Sequence, residues 1–415
     1  MWQDLFRRSD LITRLAQGPW SPYLSEFVTF LHQQHYSPLT IRRAVVAADH
    51  FAGWLLTQPL SLSETTPAVV ARYRHSLGRC PGGSWPHRSR SVPLALRFLE
   101  QKQVIPRSAA KSPETPAARW AARFGEYLER VAGAAVSTRQ RYQLTVERFL
   151  QGRFAGTEPD WSQLCADDLS AFAQREAARH KGFGRKVPGV ALRAFLRFLS
   201  AHGWVREGLA AAVPTPRQYQ HASLPDRATA AQVTAVLACC QDHTAVGLRD
   251  QAVLLLLARL GLRAQEVARL SLDDLDWHSG VLLVRAGKIR RERRLPLTPE
   301  IGTALSSYLQ SGRPASPTRA VFLQAQPPHQ PWSGASAVSQ LVHRRLVQSG
   351  YPAHPWRGAH LFRHTIASQM VNAGVSFKDV ADVLGHQSLT TTALYAKLDL
   401  DVLSSVALPW QGGPA

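Results

Sequence analysis

Apolar residues recur at helical spacing along most of the chain. The segments WAARFGEYLERV, which begins at residue 120, and PGVALRAFLRFLS, which begins at residue 188, place apolar side chains three and four positions apart. This is the period of an amphipathic helix. Residues 279–297, SGVLLVRAGKIRRERRLPL, alternate instead and predict a β-hairpin with a basic turn. The pattern therefore predicts a mainly α fold with a small β-sheet.

The amino-terminal half contains an internal repeat. SPLTIRR and VVAADHF, within residues 37–51, align with STRQRY and QLTVERF, residues 137–149. LALRFLEQKQVI at 94–105 aligns with AFLRFLSAHGWV at 194–205. An offset of about one hundred residues is the size of a domain and is too long for a solenoid repeat. We therefore predict two copies of one helical domain.

This duplication predicts three domains in all. The two helical copies occupy residues 1–108 and 116–213, and a third domain occupies residues 222–410. The segments between them, RSAAKSPETPAAR and VPTPRQYQHASLPDR, are rich in Ser, Pro and Ala. Such composition is typical of linkers.

The carboxyl-terminal region combines basic residues with one tyrosine on short helices. A helix that begins near His360 places His360 and Arg363 on the same face, one turn apart. A second short helix, residues 376–385, begins at a capping box and ends at a glycine, with His386 just beyond it. A third helix would carry Tyr395 about two turns along. These residues form a candidate catalytic set.

A tyrosine can cleave a phosphodiester only with help from cations or a base. A phenol has a pKa of about 10 and is a poor nucleophile at neutral pH. The phosphate under attack gathers negative charge on its non-bridging oxygens, which guanidinium groups bind in a bidentate manner. Upstream, LARLGLRAQEVARLSLDDLDW supplies Arg263, and the hairpin supplies Lys288. The sequence therefore predicts a site that cuts DNA with a tyrosine.

Five blocks of the carboxyl-terminal region, in this order, resemble the tyrosine recombinases, also called phage-type integrases. They are LGLRAQEVARL, AGKIRRERRLPL, HLFRHT, LGH and the final Tyr395, and they cover roughly Leu224 to Leu400. The resemblance implies a tyrosine-recombinase catalytic domain. Each helical copy resembles the core-binding, SAM-like domain that precedes it in the family, although most members have one copy. The residues implied are Arg263 and Arg363 as catalytic arginines, Lys288 as the hairpin lysine, His360 and His386 as the histidines, Tyr395 as nucleophile and Glu266 as support for Arg263.

The resemblance also implies a reaction. The enzyme is expected to be a site-specific recombinase or integrase that cuts and rejoins DNA through a 3′-phosphotyrosyl link. Arg263 and Arg363 would hold the phosphate oxygens with help from His386. Lys288 would protonate the leaving oxygen, and His360 would assist proton removal from the tyrosine. No metal or nucleotide cofactor is expected, because the covalent link keeps the phosphodiester energy. The expected partners are double-stranded DNA and a synaptic tetramer, in which the carboxyl-terminal tail docks on a neighbour.

The charge of the chain favours a polyanionic partner. Lys and Arg number 49 against 29 Asp and Glu, a net charge of +20, and the amino-terminal half is the more basic. A GC-rich genome also enriches arginine, so charge carries less weight than the motifs. We expect DNA contacts from these basic residues: Arg42, Arg43, Arg139, Arg141, Lys181, Arg185, Lys186, Arg290 and Arg291.

The remaining composition predicts a soluble protein of the bacterial cytoplasm, associated with the nucleoid. Cys80, Cys165, Cys239 and Cys240 have no ligand-like spacing, which fits a reducing interior. The chain opens on MWQDLFRRSD, which does not resemble a signal peptide. The apolar run AVLLLLARL is too short to cross a bilayer, so no membrane partner is expected.

Other functions would use parts of the same sequence. A tyrosine-type transposase of a mobile element would share the chemistry, and a topoisomerase-like enzyme would relax DNA without strand exchange. A non-catalytic relative would retain only DNA binding, which the complete catalytic set disfavours. A metal-dependent nuclease would use the carboxylates Asp273, Asp274 and Asp276. However, aspartates between a helix and a strand commonly cap and turn the chain.

Two of these residue assignments have alternatives: a zinc site and a different hairpin cation. His360 and His364 lie four apart, as zinc ligands do, but no third ligand follows with suitable spacing. Arg290 is the alternative to Lys288 as the hairpin cation. We favour Lys288, because the residues around it fall in the register of the family.

Overall fold

The computed structural model describes most of the chain as two compact units. One unit comprises residues 1–12, 22–45 and 221–415, and the other comprises residues 13–21 and 46–220. The division into three domains therefore stays a prediction. Structure is described here for residues 2–58, 60–77, 85–105, 115–180, 182–216, 227–240, 242–285, 292–351 and 358–385.

The described regular elements of the amino-terminal half are all helices, as its periodicity predicts. Short 3₁₀ helices connect some of them, at Trp2–Leu5, Ser21–Tyr23, Leu62–Glu64, Trp161–Gln163, Gly182–Lys186 and Leu209–Ala212. The α-helices are α1 (Ser9–Gln17), α2 (Leu24–Gln33), α3 (Pro38–Thr57), α4 (Pro67–Leu77), α5 (Trp85–Gln101), α6 (Pro116–Arg130), α7 (Val136–Phe154), α8 (Ala166–Ala178) and α9 (Val187–Ala201).

The sequence repeat corresponds to a repeat of elements. Helices α2 to α5 follow the same order as α6 to α9, with a long second helix and a 3₁₀ turn before the third. Phe51 and Phe149, which align in the repeat, are both buried, and so are Phe98 and Phe198. The repeated aromatic residues are therefore core positions, which supports the interpretation of two copies of one helical fold.

The predicted linker at 107–119 is shorter than its composition suggested. Helix α6 already begins at Pro116. Thr115 caps it, because its side-chain oxygen accepts a hydrogen bond from the Ala118 amide at 3.2 Å. Proline is well suited to the first helical position, where no amide donor is needed. The same residue types that resemble a linker therefore also begin a helix.

The part of the chain from residue 227 onward contains the small sheet and the remaining described helices. Three antiparallel strands lie in the order β1-β2-β3, and the residue pairs include Val281 with Pro296 and Val284 with Arg293. This confirms the mainly α fold with a small sheet, and the hairpin. The elements are α10 (Ala230–Ala238), α11 (Ala245–Leu260), α12 (Ala264–Ala268), β1 (Leu275–Asp276), β2 (Val281–Val284), β3 (Arg293–Pro296), α13 (Pro299–Ser307), a π-helical turn (Tyr308–Gly312), α14 (Ala335–Gln348), α15 (His360–Asn372) and α16 (Phe377–Leu384), with a 3₁₀ turn at Leu272–Asp274.

Helix α11 lies in the centre of this part of the chain. Residues 252–258 are all buried, so the helix is enclosed on every side, chiefly by α13 and α15. Buried charges near its start are paired: Asp250 accepts hydrogen bonds from Arg249 at 2.7 Å and from Arg345 of α14 at 2.9 Å. Burial of such charges is tolerated only when they are paired. In the described part of the chain, the helices include none with the length and hydrophobicity to cross a membrane.

Candidate active site

Arg263 is positioned by the junction between α11 and α12. Gly261 ends α11 in the left-handed conformation, with φ of 60°. A Cβ atom added there would lie 2.6 Å from Leu384 and 2.7 Å from Ile366, so the chain passes closely against α15 and α16. Arg263 follows as the residue that precedes α12. A glycine is therefore required by both conformation and space two residues before the predicted catalytic arginine.

Glu266 is the centre of a buried ion network. Its Oε1 accepts hydrogen bonds from Nη1 of Arg263 at 3.0 Å and Nη1 of Arg293 at 3.2 Å. Its Oε2 accepts from the Arg263 backbone amide and from Nη2 of Arg293, both at 2.8 Å. Each carboxylate oxygen therefore takes one hydrogen bond from each arginine residue. The exposed fractions of the side chains are 16% for Arg263 and 10% for both Glu266 and Arg293.

The network keeps Glu266 ionised. Burial by itself raises the pKa of this carboxyl group. The hydrogen bonds and charge of Arg293, with those of Arg263, outweigh burial and lower the pKa to about 2. Glu266 is therefore negatively charged at any pH at which the protein would act. Glu266 therefore contacts Arg263, and the predicted role of supporting that arginine in catalysis stays a prediction.

Arg363 approaches the same place from helix α15. The residue is 4% exposed, and its guanidinium group donates from Nη1 to the Gly261 carbonyl at 2.6 Å and from Nη2 to the Leu384 carbonyl. His360, the first residue of α15, is exposed. The helix begins at the predicted residue and ends at Asn372, before Gly374 with φ of 76°. The predicted pair on one helical turn is therefore present.

The side chains of both predicted catalytic arginines contact the carboxyl end of α16. Arg263 donates to the Leu384 carbonyl at 3.2 Å and to the Gly385 carbonyl at 2.8 Å, and Arg363 shares the Leu384 carbonyl. The last carbonyls of a helix lack helical partners and carry partial negative charge, so they attract cations. Ser376 caps the start of α16, and Gly385 ends it with φ of 63°, as the sequence predicted. Arg263 and Arg363 are thus brought together from segments far apart in sequence.

Several predicted site residues lie outside the described residues. Strand β2 ends at Val284 and β3 begins at Arg293, and residues 286–291 between them, where the basic turn was predicted, are not among the described residues. Gly385 is the last described residue, one position before His386. The predictions that stay untested for this reason concern Lys288, His386, Tyr395, Lys181, Arg290 and Arg291.

The predicted DNA contacts in the helical region differ in their exposure. Arg43, Arg141 and Arg185 are exposed, while Arg42 and Lys186 are half-buried. The Arg139 side chain is only 19% exposed and forms an ion pair with Glu129. Their contact with DNA stays a prediction.

Arg293 is a member of this ion network that the sequence analysis did not predict. It is the first residue of β3, and its neighbour on the same face of the strand, Leu295, is buried. Side chains two apart in a strand lie on one face. The alternation of Arg293 with the apolar Leu295 could therefore have indicated a buried cation that needs a carboxylate.

The aspartate cluster that suggested a metal-dependent nuclease has structural contacts. Asp273 pairs with Arg319, and Asp274 pairs with Arg285 and accepts from the Ser271 amide at 2.8 Å. Asp276 accepts from the amides of the following turn. These are the capping and turn contacts that the sequence favoured. His360 and His364 lie with ring centroids 6.2 Å apart, and among the described residues no group of three or more His, Cys, Asp or Glu could hold a metal ion.

Comparisons with known proteins agree with this arrangement. Residues 226–401 match the phage integrase family. A putative integrase/recombinase, y4rA, of Sinorhizobium fredii is 33% identical over 97% of this chain and 97% of its own length. A second from the same organism, y4rF, is 35% identical over 77% of this chain and 76% of its own length.

Solved structures share the fold. XerH site-specific recombinase, in a complex with its difH substrate, has a TM-score of 0.54 at 16% identity and covers 83% of this chain and 95% of its own. A lambda integrase dimer bound to a core site has a TM-score of 0.51 at 18% identity and covers 66% of this chain and 93% of its own. The full-length likeness to y4rA extends over the catalytic blocks and both helical regions. The chain therefore belongs to the phage integrase family of tyrosine-type site-specific recombinases.

Proposed function

We propose that this protein cuts and rejoins double-stranded DNA at specific sites, with Tyr395 as the nucleophile and a 3′-phosphotyrosyl link as the intermediate. The observation that carries this proposal is the meeting of Arg263 and Arg363 at one backbone oxygen, that of Leu384. Two guanidinium groups at one acceptor can bind one phosphate. The next residues along the chain, from His386 to Tyr395, contain two further members of the proposed catalytic set, His386 and Tyr395 themselves.

The proposed reaction conserves the phosphodiester bond energy. Oη of Tyr395 attacks the phosphorus, its proton leaves with assistance from His360, and the 5′-oxygen leaves with a proton from Lys288. Arg263 and Arg363 stabilise the negative charge that develops on the non-bridging oxygens, with a hydrogen bond from His386. A 5′-hydroxyl from a second duplex then attacks the phosphotyrosyl link, and the tyrosine is released as a strand is joined.

Strand exchange between two duplexes requires several protomers. We therefore include a synaptic tetramer on DNA in the proposal, in which the carboxyl-terminal tail contacts a neighbouring protomer. The two helical copies are proposed to grip the duplex through exposed cations such as Arg43, Arg141 and Arg185. The site of action is proposed to be nucleoid DNA in the bacterial cytoplasm, where a transposase of a mobile element would act as well.

Covalent trapping on a suicide substrate tests the proposed function. A duplex nicked near the cleavage site loses the short strand that carries the 5′-hydroxyl, so the protein stays attached to DNA. We expect trapping by the unmodified protein, none by Tyr395→Phe, and joining to a second duplex when a 5′-hydroxyl is added. Trapping that survives Tyr395→Phe would overturn the assignment of the nucleophile. Trapping without joining would indicate a topoisomerase-like enzyme.

The same assay tests the role of Arg263. Arg263→Ala is expected to abolish trapping and to leave salt-sensitive binding to duplex DNA largely intact. Equal loss of both activities would contradict a role in charge stabilisation, because it would indicate a residue that only binds the backbone of DNA.

A further inference from the structure

The side chain of Arg293 joins three segments that carry the proposed catalytic residues. It begins β3, and in the sequence that strand follows the segment that contains Lys288. Its guanidinium group makes bidentate hydrogen bonds to Glu266 of α12, from Nη1 to Oε1 at 3.2 Å and from Nη2 to Oε2 at 2.8 Å. A Cβ atom added to Gly385, the residue before His386, would lie 2.8 Å from its Nη1 atom. Hairpin, α12 and the end of α16 therefore meet at one side chain.

We propose that Arg293 is a positioning residue for DNA cleavage, which holds the Glu266 carboxylate and thereby fixes the guanidinium group of Arg263. The inference rests on the proposed function and deepens it. Arg293 touches no reacting atom in this scheme. It acts through Glu266, and it ties the base of the hairpin to the arginine that stabilises the phosphate.

The geometry of the carboxylate supports this assignment. A carboxylate has about four lone-pair positions, and the four hydrogen bonds to Glu266 are divided equally between Arg263 and Arg293. Removal of Arg293 takes one hydrogen bond from each carboxylate oxygen in a buried place. The carboxylate could then rotate about its terminal bond, and the Nη1 atom of Arg263 would lose a fixed acceptor.

Stability alone is a poor explanation for this pair. Compared with apolar residues of similar size, a buried ion pair contributes little net stability, because the cost of removing two charges from water offsets their attraction; removal of one partner alone is costly because the other charge stays buried. Both side chains are 10% exposed, so this cost applies in full. The pair does supply orientation, since the planar fork of an arginine matches a carboxylate in one plane only. Displacement of a catalytic group by an ångström can slow a reaction about 100-fold.

The neighbouring residue provides a matched control. Arg294 is exposed and lies on the opposite face of β3 from Arg293. Arg294→Ala removes the same charge from the same strand without disturbing Glu266. A loss that arises from net charge would appear in both variants, whereas a loss of positioning would appear only in Arg293→Ala.

The test is the single-turnover rate of covalent trapping on the suicide duplex at saturating DNA, with binding and the melting temperature measured in parallel. We expect Arg293→Ala to slow trapping about 10- to 100-fold with unchanged DNA affinity, and Arg294→Ala to match the unmodified protein. Arg293→Lys should restore part of the rate, because it retains the charge without the planar fork. The double variant Arg293→Ala/Glu266→Gln should be no slower than Glu266→Gln alone, because the two substitutions disrupt the same interaction between Arg293 and Glu266.

Several outcomes would overturn the inference. Independent, multiplicative losses in the double variant would show that Arg293 does not act through Glu266. A loss that saturating DNA restores would make Arg293 a DNA contact. If Arg293→Ala melts too early to assay, a full rate in Arg293→Lys would be decisive against positioning by the fork. Normal trapping by Arg293→Ala would refute the inference alone, whereas no trapping by the unmodified protein would refute the proposed function as well.

Discussion

Replacement of Glu266 by glutamine removes the negative charge at the centre of the arginine network while it keeps the shape of the side chain. The carboxylate accepts hydrogen bonds from Arg263 and Arg293 and is nearly buried. The substituted amide would present donors to two guanidinium groups, which are themselves donors only. Two buried cations would then face each other without a counter-charge. We expect Glu266→Gln to destabilise the unit that contains the sheet.

The lowered pKa of Glu266 gives the size of the expected loss in the free energy of unfolding. Folding lowers this pKa from an ordinary value of 4.5 to about 2, and each pKa unit corresponds to about 1.4 kcal/mol, so the ionised group contributes roughly 3 kcal/mol. Because the folded pKa is the lower one, this contribution is fully present above pH 4.5. It declines as the pH falls through 4.5 toward 2, and roughly half of it is lost by about pH 3.

Urea titration of the full chain, with unfolding monitored by hydrogen exchange at amides of α11, measures this contribution. At pH 7 we expect Glu266→Gln to lower the free energy of unfolding by roughly 3 kcal/mol, and we expect the difference to shrink by about half at pH 3. Glu300→Gln is the control, because Glu300 pairs with Arg259 and the side chains are 49% and 44% exposed. An exposed pair contributes less than about 1 kcal/mol. Equal losses in the two variants, or a difference that is constant with pH, would refute the reasoning.

Two further substitutions test the surroundings of the site. Gly261→Ala should destabilise the unit by about 2–4 kcal/mol, since it adds a contact at 2.6 Å with Leu384 to the cost of a positive φ; Gly280→Ala, with φ of 62° and open space, should cost only about 1 kcal/mol. Asp250→Asn should cost about 3–5 kcal/mol, because it leaves two buried arginines uncompensated, whereas Asp273→Asn in an exposed pair should cost less than about 1 kcal/mol. Chemical denaturation of each variant pair checks these differences, and equal effects within a pair would contradict the assignment.

The sequence predicted those parts of the fold that depend on local pattern. The hairpin follows from alternation at 279–297, and helices α15 and α16 follow from apolar spacing and from their end signals at Gly374, Ser376 and Gly385. Such signals lie within a few residues of the structure they determine. The same holds for the repeat, in which Phe51 and its counterpart are buried at corresponding positions.

The contacts between segments distant in sequence could not be predicted from local pattern. Family register assigned Glu266 to Arg263, yet it gave no reason to expect a second arginine, from β3, at the same carboxylate. Nor does any local pattern reveal that the carbonyl oxygens of Leu384 and Gly385 accept hydrogen bonds from Arg263 and Arg363. These contacts depend on how α12, β3 and α16 pack, which no window of the sequence specifies.

The balance of charge at the site fits the proposed chemistry better than it fits DNA binding alone. Three guanidinium groups, of Arg263, Arg293 and Arg363, converge with the single carboxylate of Glu266, so cations exceed anions by two among these residues. A DNA phosphate carries one negative charge, and attack by a deprotonated tyrosine brings a second to the phosphorus. A site with two cations in excess therefore stabilises the transition state more than the bound substrate, and this difference is what accelerates a reaction.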